Sequence, residues 1–121
     1  MDDEDRNDCL YTRNKTAFKS MGTYQTLGDY RKAIKYLKKR LKIAIEIGDR
    51  GREGRTYGNL GNAYQLRGDY RKGIEYLEKH LQIAIETGDR VEERRAYGNL
   101  GVAYLPLADY QKAIDYLEKH L

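Results

Sequence analysis

Counting from Tyr70, the apolar residues Tyr70, Ile74, Leu77, Leu81, Ala84 and Ile85 recur at steps of three and four, with charged residues filling the gaps. That spacing gathers them on one face of an α-helix. Asp69 stands where an N-cap belongs, and Gly88 where a left-handed C-terminal residue does. Asp89 then opens a shorter segment, and Glu92 three residues on completes a capping-box pattern. In the short segment before Tyr70, Tyr57, Leu60, Gly61 and Tyr64 share one helical face. Arg55, Asn59, Asn62 and Leu66 share the opposite one, with Gly58 at its edge. Two-residue Gly-Asp links between long and short segments leave room only for antiparallel helix pairs.

The pattern repeats. Gly28-Asp29-Tyr30 returns as Gly68-Asp69-Tyr70 and as Ala108-Asp109-Tyr110, a spacing of 40 residues, and about two thirds of positions agree between 28–67 and 68–107. A period of this size means stacked supersecondary units, each burying its apolar face on its neighbours. The predicted fold is all-α, a stack of helix pairs. The expected organisation is an acidic tail over 1–10 and a helical repeat domain over 11–121, with units of about 11–48, 49–88 and 89–121.

The same residues carry a resemblance. Tyr57-x-x-Leu60-Gly61-x-x-Tyr64 followed by Gly73-x-x-x-Leu77, repeated by Tyr97, Leu100, Gly101, Tyr104, Ala113 and Leu117, resembles the tetratricopeptide repeat pattern. The 40-residue unit and the phrases GREGRTYGNLGNAY and GDRVEERRAYGNLG are most similar to the repeats of the LGN/Pins adaptors. This resemblance implies a right-handed superhelical stack of about three repeats, the last one truncated, and a partner peptide bound on the concave surface by Arg and Asn. The sequence departs from the pattern in places. Phe18-x-x-Met21-Gly22-x-Tyr24 is one residue short, Gly73 replaces a small alanine, and Pro106 is expected to end the third short helix early. The last helix stops at Leu121, and Leu117 and Leu121 are expected to belong to an open apolar end face.

Composition narrows the function. Charged residues make up 35% of the chain, there are twelve tyrosines and no tryptophan, and no apolar run approaches the ~20 residues of a membrane span. Cys9 is the only cysteine, so no intramolecular disulfide forms, and a reducing, cytoplasmic setting is the expectation. Asp2, Asp3, Glu4, Asp5 and Asp8 against Arg6 concentrate acid at the start, so the rest is more basic than the overall +4. The run Arg31, Lys32, Lys35, Lys38, Lys39, Arg40, Lys42 raises nucleic-acid binding. Its counterpart in the next unit carries Glu75, Glu78 and Gln82, so no phosphate stripe repeats and no nucleic-acid partner is expected.

Candidate chemistry is sparse. Gly58 and Gly61, like Gly98 and Gly101, mimic a phosphate-binding loop, but no strand precedes them and helix packing explains them better. Gly61 is assigned to close helix contact and Gly58 to the polar side. His80 and His120 share one register position and are read as solvated surface residues rather than metal ligands. The rows Tyr30/Tyr70/Tyr110 and Tyr36/Tyr76/Tyr116 are read as interhelical packing. No catalytic set, metal site or cofactor is expected. The chain reads as a non-enzymatic protein-binding adaptor or scaffold that holds an extended acidic peptide segment through Arg55, Gly58, Asn59, Asn62, Arg95 and Asn99. The alternative is a structural or self-associating repeat fragment that uses its open C-terminal face. No membrane partner is expected.

Overall fold

The computed structural model describes residues 23–121. The expectations for the acidic tail, Cys9 and the irregular segment from Phe18 to Gly22 lie outside the described residues. Five α-helices follow in order: α1 (Thr23–Ile47), α2 (Arg50–Arg67), α3 (Tyr70–Thr87), α4 (Arg90–Tyr104) and α5 (Tyr110–His120), with a 3-10 turn at Leu105–Leu107. Residues 36–121 form one compact unit; a separate unit runs to Lys35, and its described residues are the first half of α1.

The caps stop the helices where glycine permits a left-handed turn. Gly48, Gly68 and Gly88 all take positive φ, at 75°, 93° and 70°. In each case backbone amides turn back onto the helix; at Gly68, its own N–H donates to Gln65 O at 3.0 Å and the Asp69 N–H donates to Tyr64 O at 2.8 Å. Gly28, by contrast, lies within α1, so the first Gly-Asp pair is not a link as its later counterparts are. A glycine allows a left-handed stop without imposing one. The Asp49, Asp89 and Asp109 side chains accept from the backbone N–H three residues on, but Asp69 pairs instead with Arg67 at 2.8 Å. Only half of the expected capping box at Asp89 forms, because the Glu92 carboxylate turns away to other partners.

Pro106 acts as expected. α4 stops at Tyr104, the chain tightens into the 3-10 turn, and Ala108 must supply the left-handed residue at φ 58°.

Between the helices, α2 packs on α3, α3 on α4, and α4 on α5. Ile74 and Leu77 meet Leu100, Ala103, Tyr104 and Ala113 in one buried cluster, and Leu60, Leu77 and Leu100 are wholly buried. Tyrosines stack along each pair: Tyr76 lies on Tyr57 and Tyr64 with centroids 6.0 and 5.5 Å away, and Tyr116 lies likewise on Tyr97 and Tyr104. The Tyr76/Tyr116 row is therefore packing, as its periodicity implies. Tyr36 and Tyr110, at 59% and 62% exposure, do not share that environment.

Candidate peptide-binding surface

α2 is buried around most of its circumference. Glu53, Gly54, Thr56, Gly58, Leu60, Gly61, Ala63 and Tyr64 are all buried, which leaves a narrow exposed sector containing Arg52, Arg55, Asn59 and Leu66. The reason lies in the partners. A short helix between others is flanked on more than one side, so a single apolar face underestimates what it buries. Of the predicted site residues, Arg55 and Asn59 are exposed on this sector and Asn62 is half-buried at its border. On α4, Arg95 is exposed, Asn99 and Gly98 are half-buried, and Val102 is exposed where α2 has Asn62. α4 also touches α2 directly, so the two rows run along neighbouring helices.

Gly58 does not belong to this surface. It is buried against α3, and a Cβ built on it would stand 2.6 Å from His80 Nδ1. Gly98 meets His120 in the same way at 2.7 Å. The expectation that Gly58 and Gly61 serve different surfaces is thus corrected: both face α3, Gly61 against Leu77 Cγ at 2.6 Å and the Gly73 carbonyl at 2.9 Å. Gly101 stands in the same relation to Leu117, which places Leu117 inside its own helix pair rather than on the open end. The end face is carried by Ile114, Tyr110 and Leu121, at 51%, 62% and 96% exposure, whereas Ile74, the counterpart of Ile114, is 7% exposed.

His80 is the second correction. It is 2% exposed, not a solvated residue. The small side of Gly58 makes room for its ring, and its Nε2 lies 2.8 Å from Glu92 Oε1 on α4. With Glu92 ionised, Nε2 carries the proton and donates. Nδ1 is buried with no hydrogen-bond partner among the described residues. The other Glu92 oxygen, Oε2, accepts from Arg95 Nη1 at 3.3 Å. Arg55, His80, Asp89 and Glu92 line a common crevice beside this pair. The sequence signal was available: His80 falls in the register of buried Leu77 and Ala84, three and four residues away.

Elsewhere the ion pairs are peripheral. Arg50 bridges Glu53 and Glu86, joining the start of α2 to the end of α3, and its hydrogen bond holds the Glu86 carboxyl below the usual carboxylate range. Burial raises the phenols of Tyr57, Tyr97, Tyr104 and Tyr116, helped at Tyr97 by a hydrogen bond to Glu93. Among the described residues no helix is long and apolar enough to cross a membrane.

Stacked helix pairs of this kind define a helical-repeat protein. The tetratricopeptide repeat family model matches residues 52–121, a second model of the same description matches residues 22–44, and the chain belongs to that family. The chain is similar to the crystal structure of the TPR domain of Arabidopsis FLU, with a TM-score of 0.73 and 26% identity over 81% of this chain and 82% of that one. No curated protein sequence matches. Tetratricopeptide repeats generally mediate protein–protein interaction, and the fold is typically a non-enzymatic module.

Proposed function

We propose that the exposed sector of α2 and α4 binds an extended, acidic peptide segment of a partner protein, so that the chain acts as an adaptor. The observation that carries this reading is the repetition of Arg55 and Asn59 as Arg95 and Asn99, one unit apart on adjacent short helices, with both arginines exposed. Arginine offers a planar fork for ligand carboxylates. Asparagine offers a donor and an acceptor to a peptide backbone whatever its side chains. Asn62 extends the row on α2, whereas Val102 interrupts it on α4, so the site is short. Gly58 and Gly98 contribute by admitting the histidines behind the short helices, not by contacting the ligand. The supporting experiment is titration of a Glu/Asp-rich peptide by fluorescence anisotropy. The Arg55→Glu, Arg95→Glu variant is expected to lose about tenfold or more in affinity with helicity unchanged, and unchanged binding would refute the reading.

A second reading rests on a separate observation. Ile114 on α5 and Leu121 just after it are exposed, whereas Ile74, the counterpart of Ile114, is covered by α4. An apolar face of this kind suits another repeat, in a self-associated or longer array.

A further inference from the structure

The exposed stripe of the short helices is not polar along its whole length. On α2 it runs Arg55, Asn59, Asn62, Leu66, and these steps keep all of them within about 60° of one another around the helix. On α4 the same steps give Arg95, Asn99 and Val102. Each stripe starts on an arginine and ends on an aliphatic side chain. Both aliphatics are open: Leu66 is 63% exposed and Val102 59%. The neighbours of Leu66 are held within the domain, Gln65 Nε2 donating to the Tyr70 carbonyl at 2.8 Å and Arg67 pairing with Asp69, while Leu66 is left outside. Leu105, one turn beyond Val102, is also exposed.

The aliphatic ends of the two stripes lie on one side. α3 runs opposite to α2, since a Cβ on Gly54 would meet Ile83 and one on Gly61 would meet Leu77. α4 runs opposite to α3, since His80 reaches Glu92 near the start of α4 whereas Ile74 clusters with Tyr104 at its end. α2 and α4 therefore point the same way, with arginines at one end of the surface and aliphatics at the other. Scattered surface aliphatics need no explanation. Aliphatics that close the ligand stripe on both helices, at the same end, extend the proposed site.

We infer that the partner segment taken by this groove is bipartite: an acidic residue read by Arg55 or Arg95 and, about three to five residues along, a leucine-sized aliphatic residue that covers Leu66 and Val102. This rests on the proposed groove function and names the class of segment it selects. The spacing comes from the helices. At a rise of about 1.5 Å per residue, Val102 stands roughly 10 Å along the axis from Arg95, and Leu66 roughly 16 Å from Arg55. An extended chain covers about 3.3 Å per residue, so it bridges those spans in about three to five residues. The asparagines between the anchors serve the ligand backbone, donating and accepting without regard to its side chains. The arginine end attracts by charge, which salt screens; the aliphatic end binds by burial, which salt does not. A uniformly acidic segment uses only the first end, and it would desolvate carboxylates against Leu66 and Val102 without giving them a partner. Val102 in the place of Asn62 thus changes what the groove selects.

The test is isothermal titration calorimetry of the whole chain with peptides blocked at both ends. Glu-Glu-Ser-Gly-Ser-Leu should bind about fivefold or more tighter than Glu-Glu-Ser-Gly-Ser-Ser, a smaller gain than full burial of a leucine would give. Glu-Glu-Leu-Ser-Gly-Ser, whose leucine is too near the acid to reach the aliphatic end, should bind no better than the serine peptide. In Leu66→Ser, Val102→Asn, with circular dichroism unchanged, the leucine-to-serine affinity ratio should fall to about one, since both peptides then meet a polar stripe. A ratio of one in the parent, a ratio that survives in that variant, or an equal gain from the misplaced leucine overturns the inference. Loss of the ratio in Ile114→Lys, Leu121→Lys instead would put the leucine on the α5 end and overturn it too. If the acidic peptides bind and only the leucine preference is missing, this inference fails and the groove reading stands. If the parent binds none of the peptides, the groove reading falls and takes this inference with it.

Discussion

Gly58 and His80 fit together as a socket and its filling. A Cβ on residue 58 would lie 2.6 Å from Nδ1 and 2.9 Å from Cε1 of a ring that is itself 2% exposed and tied to Glu92. The ring cannot rotate away without breaking that tie. Gly58→Ala should therefore destabilise the protein by about 1–3 kcal/mol through overpacking, more than the roughly 1 kcal/mol that alanine returns in helix propensity. Thermal melts of Gly58→Ala, His80→Ala and the double variant check this. Measured against His80→Ala alone, the Gly58→Ala change should cost less, since the space is already vacated.

Gly61→Leu should be at least as damaging. Its new side chain meets Leu77 and, at 2.9 Å, the Gly73 carbonyl, which is backbone and cannot step aside. A loss of about 1–3 kcal/mol is expected by chemical denaturation.

These glycines mark how far the sequence could be read. The 40-residue period, the helix pairs, the left-handed stop at Gly88 and the early stop at Pro106 all follow from local spacing and backbone chemistry, and all were legible. The side of α2 on which Gly58 lies was not. A helical wheel weights large apolar side chains, and Gly58 has none; its burial depends on a histidine 22 residues away that looked like a surface group between Lys79 and Leu81. The Glu92 carboxylate was likewise assigned to a local cap, because a buried partner on another helix leaves no mark in a short window. Of the candidate site, Arg55, Asn59 and Arg95 are exposed, Asn62 and Asn99 are half-buried, and Gly58 had to be removed from it.

Ala108 is the one non-glycine residue among the described residues with positive φ, at 58°. Its counterparts Gly48, Gly68 and Gly88 take the same conformation without a Cβ. Ala108→Gly is expected to raise stability by about 1 kcal/mol, because a left-handed L-residue costs about 1–2 kcal/mol and a glycine there loses some of that gain to unfolded-state entropy. Differential scanning calorimetry would read the shift.

Four of the phenols should titrate late. Burial favours the neutral phenol at Tyr57, Tyr97, Tyr104 and Tyr116, so their folded pKa values lie above the unfolded value of about 10. A raised pKa contributes stability that is complete below the unfolded pKa and is lost as pH rises through the folded one. Absorbance at alkaline pH should show a delayed phase from these four phenols, with unfolding accompanying it. Absence of a delayed phase with helicity intact would contradict the packing described for Tyr57, Tyr97, Tyr104 and Tyr116.

The open face of α5 gives a further outcome. Ile114→Lys with Leu121→Lys should abolish any concentration-dependent association seen by light scattering, because both side chains are exposed in the single chain. Leu117 is unsuitable for this purpose, since its substitution would disrupt the contact with Gly101.

The central claim is that exposed arginines on successive short helices read an acidic peptide. Fluorescence anisotropy with a labelled Glu/Asp-rich peptide, at two salt concentrations, tests it most directly. Binding should weaken as salt screens the contacts. It should fall about tenfold or more in Arg55→Glu, Arg95→Glu and fall regardless of peptide charge in Asn59→Ala, Asn99→Ala, with circular dichroism unchanged in both. Parent-like binding by both variants would contradict the account and leave the α5 face as the functional surface.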